Sequence, residues 1–420
     1  MSKILYRQIE LENGLKAVLS ENKNIPSVII SVGYKAGSKD EPSDKKGLAH
    51  LLEHLMFTGI FGRNFKSFDE VLSRLGGESN AYTSHDMTSY FLSIPSGLLE
   101  FAMKLDSARL KGIEFSGKNL EIQKKVVIEE KNQVYDNVPF GSLESESSCR
   151  LFKDTPYEIP VIGKTETIMG ITGDDISGFY NNFYHSGNSV ITVCGDIDMD
   201  ETETLLNKYY SFIKKGKPKN TSEIFKMKNF SPGKFLINDK INLPAVFVSF
   251  RIPEYGTVDY YASRFISGLL SGGDSSVLKR ELVYEKNLCY DTETSVIGFE
   301  KAGIISIDSY LNQGISCSAV EEIISRNLNL ISKGEFPGKD IDKIKNNIEL
   351  SYHSALQTNL SVADNLSYFT LFTESPERIN YEIDNALRIT KDDIVETMRN
   401  YINPDKMLIL NYLPESGYEY

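Results

Sequence analysis

The chain has 420 residues, more than one ordinary hydrophobic core accommodates, so two or more domains are expected. Apolar residues make up 40% and charged residues 25%, which reads as soluble and globular, and no apolar run approaches the roughly 18 residues of a membrane span. The net charge of −12 makes nucleic acid a poor partner, and no membrane partner is expected.

The opening residues, MSKILYRQIELENG, lack a charged-then-apolar signal pattern and are too acidic for a transit peptide, so a cytoplasmic location is expected. Residues 6–12 and 15–20 alternate around Asn13-Gly14 and predict a hairpin. Residues 28–34 predict a strand, 45–57 a helix, 68–75 a short helix and 89–94 a strand. Residues 98–110 and 120–135 read as helices, and 189–194 as the last strand of this half. Residues 214–231, KKGKPKNTSEIFKMKNFS, have the composition of a linker. Beyond it, 245–250 restarts a strand, 260–270 a helix, and 407–413 closes with a strand.

Both halves run strand, helix, strands, helices, final strand, which hints at a duplication carried by element order. The expected fold is α+β, with two homologous halves, each a mainly antiparallel sheet covered by helices on one side. The expected domains are an N-terminal metal-bearing half at 1–213, the linker at 214–231, and a homologous C-terminal half at 232–420.

Two of the five histidines fall in His50-Leu51-Leu52-Glu53-His54. At about 100° per residue, His50, Glu53, His54 and Phe57 share one arc, and Leu48, Leu51, Leu52 and Leu55 the other. Two imidazoles at i and i+4 can reach one ion at about 2.0–2.1 Å. Glu53 lies beside them, free to take a proton from a water whose pKa zinc lowers to about 7. A catalytic zinc needs a third protein ligand. His85, His185 and His353 have no partner motif. In EIQKKVVIEEKNQVYDN, Glu130 shares a face with Gln123, Val126, Val127 and Val134, while Glu129 groups with Lys125 and Asn132; periodicity prefers Glu130, with Glu129 the alternative. Cys149, Cys194, Cys289 and Cys317 are far apart and form no CxxC, so buried reduced thiols are expected rather than a metal site.

GLAHLLEHLMFTG, residues 47–59, closely resembles the core of the pitrilysin–insulysin–mitochondrial processing peptidase family, the inverzincins. The resemblance runs through most of the chain and implies one zinc per chain. It implies Glu130, 76 positions after His54, as third ligand. SNAYTSHDMTSYF, residues 79–91, resembles the family's substrate-side edge strand, with Asn80 and Ala81 at the positions that bind peptide backbone. PYEIPVIG and NSVITVCGDID match further landmarks. SGGDSSVLKRELVYEKNLCY, residues 271–290, resembles the second-half signature, which in relatives supplies an Arg and a Tyr that hold substrate. The Tyr is kept as Tyr290; the Arg position is Val277, with Arg280 three residues on. Relatives carry a supporting Glu where this chain has Gln123, a neutral amide beside the metal.

The implied activity is that of a zinc metalloendopeptidase acting on peptides or unfolded segments in a chamber enclosed by a dimer. Glu53 is the expected base and Tyr290 the expected stabiliser of the intermediate. Relatives of this length are homodimers, or heterodimers with a homologous chain carrying the Arg/Tyr pair; full zinc residues with Val277 suit the zinc-bearing subunit. The alternatives are a non-catalytic scaffold and a dedicated maturase of one precursor peptide.

Overall fold

Gly14 takes φ 79°, and the turn it permits pairs β1 (Arg7–Glu10) with β2 (Lys16–Glu21), Glu10 opposite Lys16. This computed structural model describes residues 3–58, 68–111, 117–217, 230 and 232–415. The expected linker at 214–231 lies mostly outside the described residues.

The elements that follow are β3 (Ser27–Tyr34), α1 (Leu48–Leu55), α2 (Phe68–Arg74), β4 (Glu78–Thr83), β5 (Thr88–Pro95), α3 (Leu99–Lys111) and α4 (Gly117–Lys131). Next come α5 (Leu143–Leu151), α6 (Thr165–Met169), α7 (Gly173–Phe183), β6 (Ser189–Gly195) and α8 (Met199–Tyr210). The later part holds β7 (Gly233–Asp239), β8 (Ala245–Ile252), α9 (Val258–Ser271), β9 (Cys289–Gly298), β10 (Gly303–Leu311), α10 (Cys317–Ser332), α11 (Gly338–Ala355), α12 (Asn359–Thr373), α13 (Glu382–Leu387), α14 (Lys391–Asn400) and β11 (Leu408–Pro414).

The chain forms two units. One comprises Met1–Asn132, Ile159–Phe225 and His353–Tyr381; the other comprises Gln133–Glu158, Lys226–Tyr352 and Glu382–Tyr420. Each unit thus takes one segment from the far side of the sequence.

The first unit is built on a six-stranded sheet, β1-β2-β6-β3-β5-β4, in which only β2 and β6 run parallel. Alternation divides its residues by face. Ile30, Val32 and Tyr34 of β3, with Tyr90, Leu92 and Ile94 of β5, are buried on the face that meets Phe57 just beyond α1. The other face carries small residues: Ser31, Gly33, Ser89 and Thr192. They let α12 approach closely. Thr192 Oγ1 lies 2.8 Å from Ser367 Oγ, and a Cβ on Gly33 would meet Leu371 at 3.2 Å.

The second unit has a five-stranded sheet, β7-β11-β8-β10-β9, with β7 and β11 the parallel pair. Val246, Val248, Phe250 and Ile252 share a core with Phe265 and Leu269 of α9 and Ile324 and Leu328 of α10. On the opposite face Phe140 packs edge-on against Phe247, Tyr310 and Tyr412 beside α5. With β1 set aside, both sheets have one order: first strand, last, second, fourth, third. The duplication read from element order is therefore a shared topology, and β4 and β9 are equivalent edge strands.

Among the described residues no helix is long and apolar enough to cross a membrane. All four cysteines are free; Cys194 and Cys289 are buried, Cys149 and Cys317 half-buried.

Candidate metal centre

The helix expected over 45–57 begins only at Leu48, because Gly47 sits at φ 97°, in the left-handed region. A side chain there would put a Cβ 2.8 Å from the Ile162 carbonyl oxygen. The first turn of α1 is satisfied by Glu41, whose carboxylate accepts from the backbone N–H of Gly47 at 3.1 Å and of Ala49 at 2.7 Å. Burial pushes the Glu41 carboxyl up to about 8, against the pull of Lys46 and these two N–H groups.

Leu48, Leu51, Leu52 and Leu55 are at most 2% exposed. That face anchors the helix and turns the other arc toward α4. On it, the rings of His50 and His54 stand edge-on with centroids 4.7 Å apart. Burial, then the neighbouring His54, pushes His50 down to about 4, which keeps its imidazole neutral, the form that binds metal. His50 Nδ1 is buried without a hydrogen-bond partner among the described residues.

Glu130, next to last in α4, brings Oε1 to 3.7 Å from His50 Nε2 and Oε2 to 3.2 Å from His54 Nε2. These three residues form the one group of His, Cys, Asp or Glu among the described residues that could hold a metal, their ligand atoms all within 4.8 Å of one another. Ligands about 2.0–2.2 Å from a tetrahedral zinc lie roughly 3.3–3.6 Å apart. The two separations between the histidines and Glu130 bracket that range, and two imidazoles with one carboxylate are a zinc donor set, so the residues fit the ion. Glu129 is exposed, as the periodicity indicated.

The expected face of α4 is corrected in part. Its buried stripe is Leu120, Lys124 and Val127, while Val126 and Val134 are 44% and 53% exposed. Glu130 therefore reaches the histidines from the flank of the stripe. Val134 lies in a π-helical turn, Asn132–Asp136, that breaks the 3.6-residue register used to place it. Gln123 is half-buried two turns before Glu130 and makes no side-chain hydrogen bond to the described residues.

Glu53, 9% exposed, lies outside the three-residue donor group. Burial pushes its carboxyl up to about 7; a hydrogen bond from Thr83 opposes the shift and the charge of Glu130 adds to it. The Thr83 hydroxyl donates to Glu53 Oε2 at 2.5 Å. Thr83 falls within the edge strand that the sequence predicts over 79–91, and alternation places it on the face of Ala81. Asn80 and Ala81 lie in the same strand, β4, paired with Phe91 and Tyr90 on one side and with no strand on the other among the described residues.

In the second unit, Tyr290, second residue of the edge strand β9, is 54% exposed and stacks on Tyr310 with centroids 5.6 Å apart. Val277 packs against that unit's core. Arg280 is exposed and pairs with Glu285 at 3.5 Å.

Residues 16–165 match the family model described as Insulinase (Peptidase family M16), and residues 170–348 the model described as Peptidase M16 inactive domain. The zinc protease PqqE of Helicobacter pylori is 26% identical over 400 residues, covering 94% of this chain and 90% of that protein. The crystal structure of a protease from Helicobacter pylori matches with a TM-score of 0.86 at 25% identity, over 98% of this chain and 100% of that one. The crystal structure of a peptidase M16 inactive domain from Pseudomonas fluorescens shares the fold, with a TM-score of 0.87 at 18% identity over 99% of each chain. The two adjoining family matches, the zinc protease relative and the shared fold agree with the motif at 50–54: the chain belongs to the pitrilysin–insulinase family of peptidases, M16, in its short form of two halves.

Proposed function

We propose that this chain is a zinc-dependent endopeptidase that cleaves peptides or unfolded segments, with zinc held by His50, His54 and Glu130. The observation that carries the reading is the convergence of those three side chains from two helices, with Glu53 beside them and outside the donor set. Bound there, zinc supplies a Lewis acid that polarises the scissile carbonyl and acidifies the attacking water.

The chain's own residues do the rest. Glu53, on the helix of the two histidines, takes the proton from the water and delivers it to the leaving amine; a carboxyl held near neutrality suits both transfers. The outer edge of β4 at Asn80 and Ala81 takes the substrate as an added strand, a pairing that reads backbone more than side chains. Tyr290, with its ring exposed, steadies the tetrahedral intermediate within a dimer-enclosed chamber. We assign the chain as the zinc-bearing subunit of that dimer, because Val277 stands at the position of the family's substrate-holding Arg and packs, half-buried, against a core.

The same commitment of Val277 favours a second reading, a metal-binding scaffold without turnover. One experiment separates them: purified protein is assayed for bound zinc and for cleavage of an unstructured fluorogenic peptide, beside Glu53→Gln. The peptidase reading expects about one zinc per chain in both proteins and turnover lost only in the variant. Zinc without turnover in either protein supports the scaffold; undiminished turnover in Glu53→Gln removes Glu53 as base.

A further inference from the structure

We infer that Thr83 is a positioning residue for Glu53: its hydroxyl, on the same edge strand that takes the substrate, fixes the carboxylate that acts as base. This rests on the peptidase reading and assigns a new part within it.

The geometry is specific. Thr83 Oγ1 lies 2.5 Å from Glu53 Oε2, and this is the one side-chain hydrogen bond to Glu53 among the described residues. A carboxylate has no proton to give, so the hydroxyl must donate. The neighbouring hydroxyl does not compete for that proton. Thr88 Oγ1 donates to the Ala36 carbonyl oxygen at 2.9 Å and is 3.5 Å from Thr83 Oγ1. With Oε2 engaged, Oε1 is left for the proton transfer.

The strand that carries this hydroxyl is itself held. On the face toward α1, Ser79 hydrogen-bonds Asp69 of α2, and Thr83 bonds Glu53 of α1. On the opposite face Tyr82 Oη donates to Asp364 of α12 at 2.5 Å. An edge strand with a partner on one side only is thereby fixed along its length, its outer edge remaining unpaired by any strand among the described residues. Ala81 and Thr83 are two residues apart on one face. The strand that sets the register of the bound peptide therefore also sets the position of the base. A glutamate has three side-chain torsions, and a misplacement of about 1 Å at a reacting group can cost on the order of 100-fold in rate. Loss of the tie should therefore appear in kcat, while the backbone pairing that binds peptide is untouched.

The test uses full-length, zinc-loaded protein with Thr83→Val, which keeps the shape and removes the donor, Thr83→Ser, which restores it, and Thr83→Ala. With an unstructured fluorogenic peptide, Thr83→Val and Thr83→Ala should lower kcat about 10- to 100-fold with KM within about twofold, and Thr83→Ser should stay within about threefold of the parent. Zinc content and melting temperature, which do not depend on turnover, should match the parent in the variants. In a Glu53→Gln background, Thr83→Val should not slow the residual rate further. A parent-like kcat in Thr83→Val, or an equal loss in Thr83→Ser, overturns the inference. No turnover in the zinc-loaded parent overturns the peptidase reading instead, and undiminished turnover in Glu53→Gln removes Glu53 as base. Should Thr83→Val not fold, Thr83→Ala and Thr83→Ser carry the same comparison.

Discussion

His54 Nε2 and Glu130 Oε2 stand 3.2 Å apart although 76 positions separate them in the chain. Neither helix could hold a zinc ion alone: α1 offers two imidazoles and α4 one carboxylate. Replacing Glu130 by Ala should therefore weaken zinc binding by about 100-fold or more, since loss even of a group supporting a ligand costs about 10- to 100-fold. Competition against a colorimetric chelator measures this directly. Zinc at about 100 times its dissociation constant should stabilise the parent by roughly 2.7 kcal/mol, and the same zinc concentration should leave the melting temperature of Glu130→Ala almost unchanged.

The approach of α1 to this pair depends on Gly47. Its φ of 97° strains any other residue, and a Cβ there meets the Ile162 carbonyl at 2.8 Å and Ile168 Cγ1 at 3.0 Å. The carbonyl is backbone and cannot rotate aside. Gly47→Ala should cost about 1–3 kcal/mol and lower the melting temperature by several degrees. Because His50 is only three residues on, zinc retention after dialysis should fall in the same variant. Gly97→Ala, with nothing within 4 Å of the added carbon, is the matched control and should be near neutral.

Two groups of residues show what could be read before folding and what could not. The arc of α1 that carries His50, Glu53 and His54 is legible because residues at i, i+3 and i+4 share a face whatever the helix packs against. The opening hairpin was legible because Asn-Gly fixes a turn locally. Partners chosen by the tertiary fold left no such trace. Ser367 meets Thr192 across the first sheet, yet it lies beyond the expected boundary between the halves, and a small hydroxyl residue in a helix names no partner. Val126 and Val134 share the periodic face of Glu130 and Val127 yet are exposed, because the buried stripe of α4 is set by Leu120, Lys124 and Val127. The Glu41 carboxylate caps α1 from outside the helix, where no capping pattern directs attention.

His85 gives a pH dependence independent of the metal ligands. Burial, with Lys46 and Lys39 adding, pushes it down to about 4 from its ordinary 6.5, and its Nδ1 hydrogen-bonds Ser38 Oγ at 2.7 Å. The unfolded chain takes up a proton near pH 6.5, and the folded chain only near pH 4. The neutral ring's contribution is thus complete above pH 6.5 and is lost as pH falls toward 4. The shift corresponds to about 3 kcal/mol. Denaturation midpoints at pH 7.5 and pH 4.5 should show a larger acid loss in the parent than in His85→Asn, which cannot take up that proton. Parallel lines for the two proteins would remove His85 as the source.

The second-unit positions proposed above in connection with substrate differ in what already occupies them. Arg280 is more than half exposed and its pair with Glu285 is long, at 3.5 Å, so Arg280→Ala should leave kcat/KM within about twofold and stability within about 0.5 kcal/mol. Val277 is engaged in apolar packing, and Val277→Arg forces a cation into that contact. The expected result is a loss of about 1–3 kcal/mol rather than a gain in activity. Tyr290 differs from both: one face of its ring stacks on Tyr310, and more than half of the residue is exposed. Its hydroxyl is therefore available to a bound peptide without repacking. Tyr290→Phe keeps the stack and removes only that donor. It should leave the melting temperature unchanged and lower kcat by about tenfold, less than the 100-fold or more typical of a single well-placed oxyanion donor, because an exposed hydroxyl acts in competition with water. An unchanged kcat would remove Tyr290 from this role.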